Sequence, residues 1–187
     1  MTAQDDFANR VQEAADRLAA VGVEALGVLF DLTAQRLVRF AATLTRHQQD
    51  AEDAVQAALA RLAGHPQRLA GLAHPWAYLL RMVRNEVLAS VRHRQHCSTA
   101  GSLADLVTQC PVDEAEREES HRAVWAALRA LPSEQAEVVV LKIWEEMTFA
   151  QIGEILDTSP NTVASRYQYA MAKLTPRLNR HREVLHD

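Results

Sequence analysis

The chain has 187 residues, a formal net charge of −4, and 48% hydrophobic against 24% charged residues. This composition is normal for a globular protein and argues against wholesale disorder, and the length suits one ordinary domain or two small ones. No apolar run approaches the roughly 20 residues that span a bilayer, and the N-terminus lacks the charge and hydropathy order of a signal peptide. We therefore expect a cytoplasmic protein without membrane insertion, whose two cysteines stay reduced.

Charge is distributed unevenly along the chain. Residues 26–96 carry a net charge of +4, whereas residues 1–25 carry −3 and residues 97–120 carry −5. Residues 121–187 are neutral, with eight basic and eight acidic side chains. A protein that binds DNA alone usually has a stronger basic excess. If this chain binds DNA, the charge pattern indicates that a partner contributes to the affinity.

Strong helix formers dominate the sequence, and no stretch alternates apolar and polar residues for long enough to predict a strand. Apolar residues at helical spacing predict two helices near the N-terminus. The first has Phe7, Val11, Ala14, Leu18 and Val21 on one face, and the second has Leu26, Leu29, Phe30, Leu37, Phe40 and Leu44. A third helix is predicted from Gln49-Asp50 to Gly64, and a fourth from Pro75 to about Arg94.

Residues 95–118 interrupt this helical pattern with turn formers, a proline and a run of acids. Such a composition is typical of an exposed, flexible linker. We therefore predict an all-α protein of two small helical domains, at 1–94 and 119–187, with residues 1–12 available as an N-terminal extension.

The third predicted helix opens with four closely spaced polar side chains. Asp50 and Asp53 lie three residues apart. Glu52 and Gln56 lie four residues apart, so the members of each pair are neighbours on the helix surface. These groups fit a basic partner, although an exposed acidic helix start is common without any such role. A carboxylate metal site is disfavoured because no Glu-x-x-His pair accompanies them in the N-terminal domain.

The fourth predicted helix, PWAYLLRMVRNEVLASVRHR, has two different faces. The apolar face comprises Trp76, Leu79, Leu80, Val83, Val87 and Val91, and the opposite face comprises Tyr78, Arg81, Asn85 and Arg92. Arginines can hold phosphates, and an amide and an aromatic ring can bond or stack with an unpaired base. A solvated amphipathic helix would have the same pattern, so both interpretations stay open.

Metal sites and catalytic sites are not predicted. Cys97, Cys110, His93 and His96 could bind zinc, but they include no Cys-x-x-Cys pair and lie in or beside the predicted linker. No nucleophile-elbow, phosphate-loop or zinc-protease motif occurs in the sequence, which argues against an enzyme. We therefore expect neither a cofactor nor a metal.

A helix-turn-helix is predicted in the C-terminal domain. Thr148 and Gln151 form a capping-box pair ahead of a short helix. The buried face of that helix comprises Phe149, Ile152, Ile155 and Leu156. Gly153 provides a small residue where a crossing helix comes close. After a short polar turn, Ser159 caps a second helix that has Pro160 in its first position.

The second helix of this motif has a core face and an exposed face. The core face comprises Val163, Tyr167, Ala170 and Leu174, and the exposed face comprises Thr162, Ser165, Arg166, Tyr169 and Lys173. Hydroxyls, an arginine and a lysine suit base edges and phosphates in a major groove. A helical hairpin with a merely solvated face is the alternative, but two successive capped helices and a tight turn favour DNA binding.

The order of these motifs resembles the bacterial sigma factors of the extracytoplasmic-function (ECF) group, in the sigma-70 family. The resemblance rests on LFDLTAQRLVRFA, DAEDAVQ, WAYLLRMVRNEVL, LRALPSEQAEVVVLKIWEEMTFAQIGEIL and SPNTVASR, within about residues 13–94 and 121–180. It implies a sigma-2-like bundle and a sigma-4-like helix-turn-helix domain, joined by the linker. It also implies a transcription initiation factor that binds core RNA polymerase, directs it to promoters and helps to melt the minus-ten element.

The resemblance also implies a role for each polar surface. The β′ clamp helices of polymerase would be bound by Asp50, Glu52, Asp53 and Gln56. The melted minus-ten element would be bound by Trp76, Tyr78, Arg81, Arg84, Asn85 and Arg92, with Asn85 at the family position for a flipped base. The minus-thirty-five element would be read by Ser159, Asn161, Thr162, Ser165, Arg166, Tyr169 and Lys173. The implied partners are core polymerase, including its β flap, promoter DNA and an inhibitory anti-sigma factor.

Two departures from the family pattern leave the promoter sequence unpredicted. Ala164 and Tyr169 stand where members often carry Lys or Arg, and the loop RLAGLAHP lacks the usual aromatic-Arg-Gly start.

The alternative function is a stand-alone helix-turn-helix regulator whose N-terminal bundle dimerises or senses a ligand, but it would not need the polar surfaces at 50–56 and 78–92. A helical enzyme or metal-binding bundle is disfavoured because the ligand constellation is missing.

Overall fold

The computed structural model describes residues 3–97 and 115–184, and within these ranges it contains helices and turns but no strand. The α-helices are α1 (Ala3–Val21), α2 (Leu26–Thr45), α3 (Gln48–Gly64), α4 (Pro75–Cys97), α5 (Ala115–Arg129), α6 (Ser133–Ile143), α7 (Phe149–Leu156) and α8 (Pro160–Val184). Short 3-10 helices occupy Val23–Ala25 and Pro66–Leu69. The all-α prediction is confirmed. No helix in the described ranges is both long and apolar enough to cross a membrane.

The chain divides into two compact units, Met1–Val107 and Thr108–Asp187. The division falls within the segment 95–118 that the sequence predicts as a linker. Residues 98–114 of that segment lie outside the described residues, whereas its two ends belong to α4 and α5. The predicted domain limits at 94 and 119 therefore stay predictions.

Backbone conformation explains several of the points at which helices of the first unit begin or end. The 3-10 helix after α1 is preceded by Gly22 at φ 92°, a conformation that a residue without Cβ adopts at little cost. The last turn of α2 is closed by Arg46 at φ 62°, whose N–H donates to the carbonyl of Ala42. Pro75 begins α4, where its fixed φ suits the first helical position.

The core of the first unit is formed by α1 to α4 and by the 3-10 helix Pro66–Leu69. Its largest fully buried side chains are Leu18, Leu29, Leu37, Phe40, Leu62, Leu69, Leu79 and Leu80. Each such side chain stabilises the fold by about 1.5–3 kcal/mol relative to an exposed one. The predicted stripes were wrong at Val21 and Phe30, which are 57% and 46% exposed. Val21 is the last residue of α1, and Phe30 lies about 100° around α2 from the buried Leu29.

Arg36 on α2 contacts residues of both α1 and α4. The guanidinium of Arg36, on α2, lies 3.7 Å from the centroid of the Phe7 ring and 5.6 Å from that of Trp76. It also donates a 2.8 Å hydrogen bond to Gln4 Oε1. Phe7 meets Trp76 edge to face at 5.0 Å. The start of α1 is therefore packed against α2 and α4 through Gln4 and Phe7.

The second unit packs α5 to α8 around a separate core. Leu128, Leu131, Val139 and Leu174 are buried there, and Ala136 and Ala170 let the helices approach closely. The rings of Trp125 and Trp144 lie 5.3 Å apart at the edge of this core. Because α8 packs against α5, α6 and α7, its outward face is held in a fixed position within the unit.

Candidate nucleic-acid interface

A complete capping box begins α7. The N–H of Gln151 donates to Thr148 Oγ1 at 3.3 Å, and the N–H of Thr148 donates to Gln151 Oε1 at 2.9 Å. Two backbone donors that the helix leaves without partners are thereby satisfied. This part of the prediction is confirmed. Ile152, Ile155 and Leu156 are buried as expected, and Phe149 is half-buried.

The turn after α7 explains the glycine at position 153. Asp157 adopts φ 54° and closes α7, and the N–H of Thr158 then donates to the carbonyl of Gly153 at 3.0 Å. A Cβ on Gly153 would lie 2.7 Å from the carbonyl oxygen of Thr158 and 3.6 Å from the nitrogen of Pro160. The need for a small residue is confirmed, but the nearest obstacle is the backbone of the turn and not the body of a crossing helix.

The cap of α8 follows directly. Ser159 Oγ accepts the N–H of Thr162 at 3.1 Å and lies 2.8 Å from the Thr162 hydroxyl. Pro160 occupies the first helical position, where its missing N–H leaves no hydrogen bond unmade. Asn161, Thr162 and Ser165 are exposed on the first turns of α8. The predicted cap is confirmed, and short polar side chains are exposed at the start of α8.

The outward face of α8 continues through three larger side chains. Tyr169 is 66% exposed. Lys173 is exposed, with Nζ donating to Gln135 Oε1 at 3.0 Å. Arg166 is partly buried, and its Nη2 pairs with Glu134 Oε2 at 2.9 Å. On the inward face Val163, Ala170 and Leu174 are buried, and Tyr167 is half-buried with its ring 5.7 Å from that of Phe149.

The polar face of α4 also faces solvent. Arg81, Asn85 and Arg92 are exposed, and Tyr78 and Arg84 are half-buried. Trp76 requires a correction, because its side chain is only 5% exposed beneath Phe7 and Arg36. A ring covered in this way is a core residue of the unit and cannot stack on a base.

The acidic surface of α3 lies on the outer side of the same unit. Glu52, Asp53 and Gln56 are exposed, and Asp50 is half-exposed. Glu52 accepts a 2.7 Å hydrogen bond from Gln48 Nε2 within α3. The four predicted residues are therefore accessible, while the opposite face of α3 supplies core residues such as Val55 and Leu59.

A salt bridge links this acidic helix to the polar helix α4. Arg61 Nη1 lies 2.9 Å from Glu86 Oε1, and the Glu86 side chain is only 12% exposed. Sequence reasoning missed this pair, as it missed Glu134 and Gln135 beside α8. The members of each pair belong to different helices, so no local spacing in the sequence identifies them.

Residues 3–97 and 115–184 contain no cluster of three His, Cys, Asp or Glu side chains that could hold a metal ion. Of the four residues weighed as zinc ligands, Cys110 lies outside the described residues, as do the side chains of His96 and Cys97.

Two family profiles match the chain, one in each unit. Residues 29–97 match Sigma-70 region 2, and residues 121–174 match Sigma-70, region 4. The ECF RNA polymerase sigma factor SigL of Mycobacterium tuberculosis is 30% identical over 159 residues, which cover 83% of this chain and 90% of that protein. The RNA polymerase sigma-E factor of Streptomyces coelicolor is 31% identical over 147 residues, covering 76% and 79%. The chain is an ECF sigma factor of the sigma-70 family.

A solved structure has the same fold as this sigma factor. It is the co-crystal structure of the sigma factor RpoE with the anti-sigma factor NepR from Bartonella quintana. The TM-score is 0.66 at 21% sequence identity, over 80% of this chain and 94% of the other.

The polar surfaces on α3, α4 and α8 lie in the segments that match Sigma-70 regions 2 and 4. The region 2 match covers most of α2 and all of α3 and α4, and the region 4 match covers the second part of α5, all of α6 and α7, and most of α8. A sigma factor binds core RNA polymerase and promoter DNA. All the residues singled out on α3, α4 and α8 lie inside the two matched regions.

Proposed function

We propose that this sigma factor binds core polymerase through α3, opens the minus-ten element with α4 and reads the minus-thirty-five element with α7 and α8. The observation that carries the proposal is the helix-turn-helix, whose capped second helix presents an unbroken polar face within region 4. The chain acts in the cytoplasm and contributes no catalytic group or cofactor, because polymerase carries out the chemistry.

The contact with polymerase is assigned to Asp50, Glu52, Asp53 and Gln56. Three carboxylates and an amide can accept charge-assisted hydrogen bonds from arginines of the β′ clamp helices. The rigid packing of α3 against α2 and α4 supports this role, since an ordered surface loses little entropy when it binds.

The minus-ten contact is assigned to the solvent face of α4, without Trp76. Asn85 is exposed, and its amide can donate to and accept from an unpaired base. Arg81, Arg84 and Arg92 supply positive charge for the phosphates of the opened strand. Tyr78 can stack on a base with the exposed part of its ring.

The minus-thirty-five contact is assigned to the start and outer face of α8. The helix N-terminus, with Ser159 and Asn161, suits a phosphate because the first-turn N–H of Asn161 has no acceptor within the helix and the helix dipole favours an anion there. Thr162, Ser165 and Arg166 come next on the face that enters the groove, and Tyr169 and Lys173 extend it. Region 4 also contacts the β flap of polymerase in this proposal.

We also propose an anti-sigma factor as a partner that holds the chain inactive. The support is that RpoE, whose structure shares this fold, was crystallised with the anti-sigma factor NepR.

Run-off transcription tests the proposed function. Purified chain, core polymerase and genomic DNA fragments should yield discrete transcripts that polymerase alone does not make, and their start sites define the promoter. Specific duplex binding by the chain alone, combined with no polymerase-dependent transcript, would instead identify a stand-alone regulator.

Arg166→Ala should weaken binding of the holoenzyme to such a promoter by about 1–3 kcal/mol, the loss expected for one base-contacting arginine. Quantitative footprinting on the promoter measures this loss. A template with a scrambled upstream element is the control, and there the loss should be smaller, because only the attraction of one positive charge to phosphates is removed. Equal footprints on the intact promoter would show that Arg166 does not read DNA.

A further inference from the structure

The first turn of α6 holds two cations of α8. Arg166 Nη2 lies 2.9 Å from Glu134 Oε2, and Lys173 Nζ donates a 3.0 Å hydrogen bond to Gln135 Oε1. Glu134 and Gln135 are consecutive, whereas their partners lie about two helical turns apart on α8. The start of α6 therefore runs beside the face of α8 that we propose reads the minus-thirty-five element.

The two members of the ion pair differ in exposure. The Arg166 side chain is 26% exposed although it belongs to the polar face of α8, whereas the Glu134 side chain is 66% exposed. The arginine is largely shielded from solvent, whereas its carboxylate partner is exposed. A surface pair of this kind contributes little to folding stability. Its larger effect is on the orientation and charge of Arg166.

Arg166 can bind DNA while Glu134 holds it. A guanidinium carries five N–H donors in one plane, and a single carboxylate occupies only part of them. The remaining donors can meet the two acceptors on a guanine edge or a phosphate oxygen. A guanidinium that is held in one orientation before binding loses less conformational entropy when it binds, and it can reach fewer alternative base edges.

The charge of Glu134 has a second effect. Binding to DNA of any sequence depends on attraction between cations and phosphates. A carboxylate 2.9 Å from Arg166 offsets much of that attraction and itself repels phosphates. The Glu134 charge therefore lowers the affinity of the sigma factor for random DNA more than its affinity for a site where Arg166 also bonds a base.

We infer that Glu134 is a positioning residue that determines specificity: it orients Arg166 toward one base edge of the upstream element and suppresses sequence-independent binding. The inference rests on the proposed function of the helix-turn-helix. Glu134 itself touches no base in this arrangement and acts through Arg166.

The test uses the full chain with core polymerase and a duplex DNA library randomised over the upstream element. Glu134→Ala removes both the charge and the acceptor. This variant should bind random DNA about two- to fivefold more tightly, the effect of one repulsive charge acting across several ångströms of water. Its preference for the best base over the others should fall about tenfold, the scale of one lost directional base contact.

Two further variants separate positioning from charge. Glu134→Gln keeps an acceptor oxygen for Arg166 and removes the charge, so it should share the rise in random binding but retain most of the base preference. Glu146→Gln removes an exposed acid from the loop between α6 and α7 of the same unit and should keep the wild-type base preference. Circular dichroism should give the same helix content for every variant.

The outcomes separate this inference from the proposed function. If wild type selects an upstream sequence and Glu134→Ala selects it equally well, Glu134 has no positioning role. An equal loss of preference in Glu146→Gln would also overturn the role, because the effect would then follow from net charge alone. A wild-type holoenzyme that selects no upstream sequence would overturn both the proposed reading function and the role of Glu134.

Discussion

Asp53→Arg should abolish binding of the sigma factor to core RNA polymerase. Asp53 is exposed on α3, in the surface that we propose meets arginines of the β′ clamp helices. The substitution replaces an attraction with a contact between like charges, so the affinity should fall by about 2 kcal/mol or more, at least about 30-fold. Titration of a fluorescently labelled chain with core polymerase measures this change.

Glu24→Arg is the matched control for this charge reversal. Glu24 is an exposed acid of the same unit, in the 3-10 helix between α1 and α2. This variant carries the same change in net charge and should bind polymerase like wild type. If Asp53→Arg also bound like wild type while keeping its helical circular dichroism spectrum, α3 would not be the docking surface.

Gly153→Ala should destabilise the second unit and thereby remove recognition of the minus-thirty-five element. The added Cβ would lie 2.7 Å from the carbonyl oxygen of Thr158, a backbone atom that cannot rotate away. Relief requires movement of the turn that positions α8. Overpacking of this kind costs about 1–3 kcal/mol, more than the gain in helix propensity returns. Urea denaturation followed by fluorescence measures the loss, since Trp125 and Trp144 belong to this unit.

Gly27→Ala provides the same chemical change without the clash. Gly27 lies in α2, and a Cβ there would meet nothing within 4 Å. That variant should stabilise its own unit by up to about 1 kcal/mol, because alanine loses less backbone freedom in a helix. A Gly153→Ala unit as stable as wild type would mean that the turn adjusts freely. Polymerase binding through α3 should survive in Gly153→Ala, because α3 belongs to the other unit. It should also survive in Gly27→Ala, because the added Cβ meets nothing within 4 Å.

The elements that the sequence predicted well are governed by local interactions. The capping box at Thr148 and Gln151 and the cap at Ser159 each join residues within three positions, so their spacing alone identifies them. Apolar periodicity likewise located the buried faces of α4 and α8. The helix-turn-helix was therefore predictable almost to its boundaries, and the order of the motifs was enough to indicate the family.

The features that the sequence did not predict depend on contacts between distant elements. Periodicity placed Trp76 on an apolar face, and the family resemblance placed it on DNA, but only the packing of Phe7 over its ring decides between the two. The partner of Arg166 is a residue 32 positions earlier, in α6. No propensity or spacing rule links residues at such distances.

The Arg61–Glu86 salt bridge has a consequence for the order of events at a promoter. Its carboxylate is nearly enclosed and follows Asn85 directly, while its arginine is five residues beyond Gln56 on the acidic helix. In the proposed arrangement, docking of α3 on polymerase would therefore also restrain α4, before any strands separate. The polar face of α4 would then be ordered before a base reaches it, so capture of the base would not require the protein to rearrange.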